Sequence, residues 1–161
     1  MIILGIEPGL ANTGWGVVEF VSNSYRPVSY GTISTKASES IQKRVHTIAE
    51  DLGSIASRFS VDAVSMEDIF FAKNISSAIP VAKVIGGILY KFESLSIPVS
   101  LFSPIEIKSA ITGVGRAEKE QVQKMVQVLL HLKEVPKPDH AADALADCIC
   151  YCSHLTLKAR I

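Results

Sequence analysis

Residues 2–6, IILGI, form an unbroken apolar run, as in a strand buried on both faces. The run ends on Glu7 and passes into PGLANTG, which has the composition of a turn. GWGVVEF and VSYGTIS then alternate with the two-residue period of strands, and SNSYRP between them reads as a loop. Residues 1–34 therefore predict a three-stranded antiparallel meander. From Ser38 the period changes. Ile41, Val45, Ile48, Leu52, Ile55 and Phe59 step by fours and threes, marking one face of an amphipathic helix. VDAVSMED follows as a short strand that ends in acids.

Residues 76–95 predict a second helix, striped by Ala78, Val81, Ile85, Leu89 and Phe92, with Pro80 tolerated near its start. Gly86-Gly87 costs roughly 1 kcal/mol per glycine in a helix interior, and such a pair permits close helix contact, for instance across a dimer. PVSLF is a further strand, SPIEIKSAITG a short helix, and residues 116–131 and 139–153 two more helices. The order β-β-β-α-β-α-β-α-α-α predicts an α/β fold: a mixed five-stranded sheet with helices on its faces. No repeat, low-complexity tract or linker breaks the chain. Its 161 residues suit one domain spanning 1–161.

Composition changes this picture little. Hydrophobic residues make up 48% and charged residues 20%, an ordinary globular mix. No stretch reaches the ~18 apolar residues of a membrane span, and no basic start precedes a cleavable apolar segment, so the expected compartment is the cytoplasm. Net charge is zero, but residues 1–70 carry −3 and residues 71–161 carry +3. Cys148, Cys150 and Cys152 fit neither a zinc spacing nor a mutual disulfide, and are read as reduced core residues.

The candidate chemistry lies in acids at strand ends. Glu7 ends the first strand and Glu67 the strand after the first helix. If the two strands are neighbours, both carboxylates emerge at the same sheet edge. Side by side they repel, and a divalent cation between them resolves the conflict. The last helix begins PDHAADALAD, with His140 and Asp143 three apart on one face. Asp139 is placed to cap that helix. Asp147, one turn beyond Asp143, reads as a solvated carboxylate. Two strand-end carboxylates and a helix bearing His and Asp can hold two cations, and such pairs, about 3.5–4 Å apart, catalyse in-line phosphodiester hydrolysis.

With those residues in hand, the chain resembles the RuvC-type Holliday junction resolvases. The stretches LGIEPGLANTGWGV, MEDIFFAKNISSA, TGVGRAEKEQVQKMV and HAADALADC carry the resemblance. It implies a ribonuclease-H-like fold and an endonuclease that cuts four-way DNA junctions as a homodimer, with paired symmetric nicks. It also implies Mg²⁺, two ions per site, with Mn²⁺ as a substitute, and a partnership with a RuvA–RuvB-type branch-migration helicase. Carried over by position, the catalytic and metal-binding residues are Glu7, Glu67, His140 and Asp143. Phe70 matches an aromatic that stacks on bases near the junction centre, and Phe71 is its neighbour. Lys108 and Lys119 match basic residues near the scissile phosphate, and Lys73 and Arg116 are further phosphate contacts.

Glu7 departs from the family pattern, which calls for Asp. The extra methylene displaces the carboxylate by about 1.3–1.5 Å, and a misplacement of about 1 Å can cost on the order of 100-fold in rate. The alternative expectation is therefore a junction-binding protein with weakened or no cleavage. An actin-like ATPase, suggested by the first turn alone, needs two such domains around its nucleotide. A ribonuclease-H-like nuclease acting on hybrids or flaps is a further reading, separable by its substrate.

Overall fold

The computed structural model describes residues 1–69 and 75–158. The elements run β1 (Ile2–Glu7), β2 (Asn12–Val21), β3 (Ser24–Ser34), α1 (Ile41–Phe59), β4 (Ala63–Glu67), α2 (Ile75–Ser94), β5 (Val99–Phe102), α3 (Pro104–Thr112), α4 (Lys119–Leu129) and α5 (Asp139–Lys158). They form one five-stranded sheet in the order β3-β2-β1-β4-β5. β1–β2 and β2–β3 pair antiparallel, while β1–β4 and β4–β5 pair parallel. This is the mixed sheet that the element order predicts.

The two-residue period of the strands decides which side chain faces which layer. Leu4 and Ile6 of β1, and Val64 and Met66 of β4, pack with Ile48, Leu52, Val84 and Ile88 of α1 and α2. Ile3, the next position but one before Gly5 and Glu7, packs instead with Ile107, Val126, Leu145 and Ile149 of α3, α4 and α5. Helices thus cover both faces. Glu7 and Glu67 follow the α5 side of the alternation.

Several boundaries differ from the sequence reading. The loop expected at residues 22–27 shrinks to Ser22 and Asn23, both left-handed at φ 51° and 60°, which is the two-residue geometry that suits a twisted hairpin. Pro27 fits inside β3 because β3 is an edge strand, with a register shift beside it between Val17 and Val18. α4 starts at Lys119, later than expected, because the Gln121 side chain accepts from the Glu118 N–H at 3.0 Å and closes the helix start there. Asp139 is not a cap. The Pro138 carbonyl accepts from the Ala141 N–H at 2.9 Å, so Asp139 lies within the first turn. All three cysteines are buried and free, as expected.

The glycine pair of α2 divides its work. A Cβ at Gly87 would stand 2.5 Å from Val45 Cγ1, so this glycine serves the α1–α2 contact inside the chain. Gly86 is exposed with open space around it.

The seating of α5 is the feature on which the site depends. A Cβ at Gly5 would collide with the Ala144 carbonyl oxygen, and one at Gly14 with the His140 carbonyl oxygen. At Gly16 it would stand 2.7 Å from Leu145 Cδ2. Gly5 and Gly16 are register partners, and Gly14 is the partner of Glu7. These glycines form a side-chain-free floor on which the α5 backbone rests.

The expected cost of filling that floor separates it from Gly86. Gly5→Ala should destabilise by about 1–3 kcal/mol or more, since backbone rather than a flexible side chain must move. Gly86→Ala should be neutral or stabilising by up to about 1 kcal/mol. Chemical denaturation of both variants checks this, and equal effects would contradict the proposed seating.

Candidate active site

Parallel pairing puts Ile6 opposite Met66, so Glu7 and Glu67 leave adjacent strands at the same edge. Residues 140, 143 and 147 of α5 share one helical face, and that face lies over this edge. The result is a cleft of about 230 Å³ lined by Glu7, Glu67, Lys108, Lys119 and Asp143, with Ile107 and Val122 among its apolar walls. A larger groove, about 620 Å³, lies at the far end of α5 beside Phe20 and Leu157; it holds none of these acids, and its one carboxylate is Glu106 of α3.

Three of the four predicted ligands converge. One ligand atom each of Glu7, His140 and Asp143 lies within 4.8 Å of the others. Glu67 faces the same cleft from β4 but stands outside that group. His140 Nδ1 is 2.8 Å from Glu7 Oε2. Imidazole and carboxylate thus share one hydrogen bond through Nδ1. Metal-ligating histidines show this pattern, with one nitrogen on the ion and the other donating to a carboxylate. Two oxygen donors and one imidazole nitrogen also suit a divalent first-row ion. The residues present therefore fit a divalent cation.

The electrostatics agree. Burial pushes the Glu7 carboxyl above its ordinary range, and the nearby Asp143 adds to this, partly offset by His140. Burial, then Glu7 and Asp143, push Glu67 up to about 7. Lys119 Nζ donates to Asp143 Oδ2 at 2.8 Å and stands 3.8 Å from Asp139. Partial burial, the largest single influence, pulls the Lys119 ammonium down, but the bond to Asp143 and the charges of Asp143, Glu7 and Asp139 together outweigh it, and its pKa is raised. Lys108 reaches the cleft from α3. Arg116, between α3 and α4, is exposed and does not line the cleft. Phe70, Phe71 and Lys73 lie outside the described residues.

One expectation is overturned. Asp147 is not solvated: it is 1% exposed, and neither carboxylate oxygen has a hydrogen-bond partner. α5 rests so closely on the sheet that this turn lies in the core. Burial pushes its carboxyl far up, with Glu67, Glu7 and Asp143 adding to the effect. The glycine floor was also missed. Its signal was present, because Gly5, Gly14 and Gly16 all fall on the face of β1 and β2 that carries Glu7.

The pH dependence of stability follows from Glu67, whose folded value lies near 7 against an ordinary 4.5. Without metal, the folded protein holds this proton where the unfolded chain has released it. Relative stability is therefore greatest below 4.5 and falls as pH rises toward about 7. The melting temperature in chelator should drop across that window, and saturating Mg²⁺ should flatten the slope. A flat profile in chelator would contradict the burial of Glu67.

Comparison with known proteins places this geometry. A family model described as crossover junction endodeoxyribonuclease RuvC matches residues 3–151. The curated protein of that name from Desulforamulus reducens is 44% identical over 151 residues, covering 94% of this chain and 93% of that relative. The Thermus thermophilus RuvC structure superposes with a TM-score of 0.91 at 32% identity, covering 98% of this chain and 97% of the other. A second structure, T. thermophilus RuvC in complex with Holliday junction substrate, gives 0.88 at 30% identity over 98% and 96% of the two chains. With the ribonuclease-H-like sheet and the acidic cleft at its edge, this chain belongs to the crossover junction endodeoxyribonuclease RuvC family.

Proposed function

We propose that this chain is an endonuclease that resolves four-way DNA junctions by paired symmetric nicks, with Glu7, Glu67, His140 and Asp143 as its catalytic and metal-binding residues. The observation that carries this reading is the convergence of Glu7, His140 and Asp143 within 4.8 Å in a family-matched cleft. Divalent cations, Mg²⁺ and two per site in this reading, supply an activated water and charge stabilisation for phosphodiester hydrolysis. The chain's own groups do the rest. Glu7 holds the His140 imidazole through the 2.8 Å contact with Nδ1, beside Asp143. Lys108 and Lys119 offer cationic donors at the cleft wall where a phosphate enters. Arg116, and the segment bearing Phe70, Phe71 and Lys73, extend the DNA-binding surface by stacking and phosphate contact.

The non-cleaving alternative is not favoured. Glu7, despite its extra methylene, keeps its carboxylate within reach of both His140 and Asp143. A homodimer fits a substrate with two symmetric strands. The outward face of α2, with Ile79 50% exposed, Tyr90 80% exposed and Gly86 open, is the surface assigned to it. The reading also includes one domain over 1–161, a cytoplasmic setting, and a RuvA–RuvB-type helicase as partner. No helix among the described residues is long and apolar enough to cross a membrane.

Mapping nicks on a mobile four-way junction tests the proposal. The native chain should make symmetric paired nicks in Mg²⁺ and faster ones in Mn²⁺, since imidazole suits Mn²⁺ better. Glu67→Gln should lower the rate by about 100-fold or more, a loss of several kcal/mol of charge stabilisation. Cutting by a Glu7→Asp variant but not by the native chain would restore the non-cleaving alternative. Preference for hybrids or flaps over junctions would sink the substrate assignment.

Loss of either cleft lysine should weaken junction binding and reduce its salt slope by about 1. Binding isotherms of Lys108→Ala and Lys119→Ala across a salt series provide the measurement. Unchanged slopes would remove these lysines from the phosphate contacts.

A further inference from the structure

Arg44 lies in the first turn of α1, where no acid stands. The helix dipole disfavours a cation at that end, so helix stability does not account for it. The side chain is partly buried and held in place. Its Nε–H donates to Thr35 Oγ1 at 2.8 Å, and the Thr35 hydroxyl donates in turn to the Leu10 carbonyl at 2.5 Å. The Thr35 backbone N–H donates to the Ala11 carbonyl at 3.0 Å. Arg44 is thereby tied to the turn that runs from Glu7 into β2. Among the described residues it makes no ion pair and no other side-chain hydrogen bond. A guanidinium has five N–H donors in a planar fork, so four are left for a ligand.

Asn12 adds a second donor group at the same edge. It stands two residues, or about 7 Å, beyond Gly14, the partner of Glu7. Strand alternation puts it on the cleft side of the sheet. Its Oδ1 accepts from the Ser34 hydroxyl at 2.8 Å, which leaves its amide N–H donors over at an exposed position. From Pro27 to Arg44 the charged residues are Lys36, Glu39, Lys43 and Arg44, and Glu39 is paired with Lys43 at 2.7 Å. The edge beside the turn is therefore positive. A guanidinium fixed in advance, with an amide near it, suits a phosphodiester, whose anionic oxygens only accept.

We propose that Arg44, with Asn12, binds a backbone phosphate of the DNA that crosses the β1–β2 turn, a contact distinct from those of Lys108 and Lys119. This rests on the reading of the chain as a junction endonuclease, and the test separates the two.

Binding to an immobile four-way junction, without divalent cation, would be measured across a salt series for the full chain, Arg44→Met and Asn12→Ala. Each would be repeated on junctions carrying one neutral methylphosphonate, moved stepwise along the strands. Arg44→Met should bind about 10-fold more weakly, with the salt slope reduced by about 1. Asn12→Ala should weaken binding by about 3-fold or more with the slope unchanged. At one position the methylphosphonate should weaken the native chain but not Arg44→Met, because the contact is already gone. A brace of the turn produces no such coupling. Native affinity and slope in both variants would overturn the inference and leave the endonuclease reading standing. Weaker binding by Arg44→Met with the native slope and full methylphosphonate sensitivity would make Arg44 a brace of the turn, and would overturn it too. Absence of junction binding by the native chain would defeat both readings. If Arg44→Met does not fold, the affinity and methylphosphonate response of Asn12→Ala decide.

Discussion

The close seating of α5 on a floor of glycines is the constraint from which the site follows. Side chains at Gly5 and Gly14 would strike the backbone of Ala144 and His140, so the helix reaches its position only because the floor is bare. That position sets His140 against Glu7 at 2.8 Å and carries Asp143 into the same cleft. A protein interior is packed at crystal density and yields little. A side chain added under α5 therefore moves the helix, and with it two of the four acidic-site residues. Fold and site are coupled through that contact.

The same contact creates an electrostatic debt. It gathers Glu7, Glu67 and Asp143 in a partly buried cleft and seals Asp147 in the core, with burial the leading cause of the raised values of Glu7, Glu67 and Asp147. His140 and Lys119 offset part of it by direct contacts with Glu7 and Asp143. A divalent cation offsets it further and by the same physics, since it favours ionised carboxylates. The arrangement that weakens the metal-free protein as pH rises is thus the arrangement that binds an ion.

Much of this was legible in the sequence, because period and punctuation carry the elements. Glu7 and Glu67 each close a strand, which put them at one sheet edge once β1 and β4 pair, and the three-residue step from His140 to Asp143 put those two on one side of α5. What was not legible depended on approach distance. Asp147 reads as a surface acid by type, and only the depth of α5 in the fold buries it. Gly5, Gly14 and Gly16 read as weak points in strands until the helix lies on them. The hairpin after β2 was misjudged because Ser22 and Asn23 adopt left-handed backbone, which lets β3 begin within the stretch read as a loop. The departure at Glu7, judged by bond lengths alone, opened the alternative of weakened cleavage. In the fold its longer side chain ends at His140.

The most direct measurement is anomalous diffraction from crystals of this protein grown with Mn²⁺. The account predicts a peak bounded by Glu7, His140 and Asp143, with Glu67 reaching it or a second ion beside it. An Mn²⁺ peak elsewhere on the molecule, with this cleft bridged by Lys119 and Asp143 alone, would contradict it.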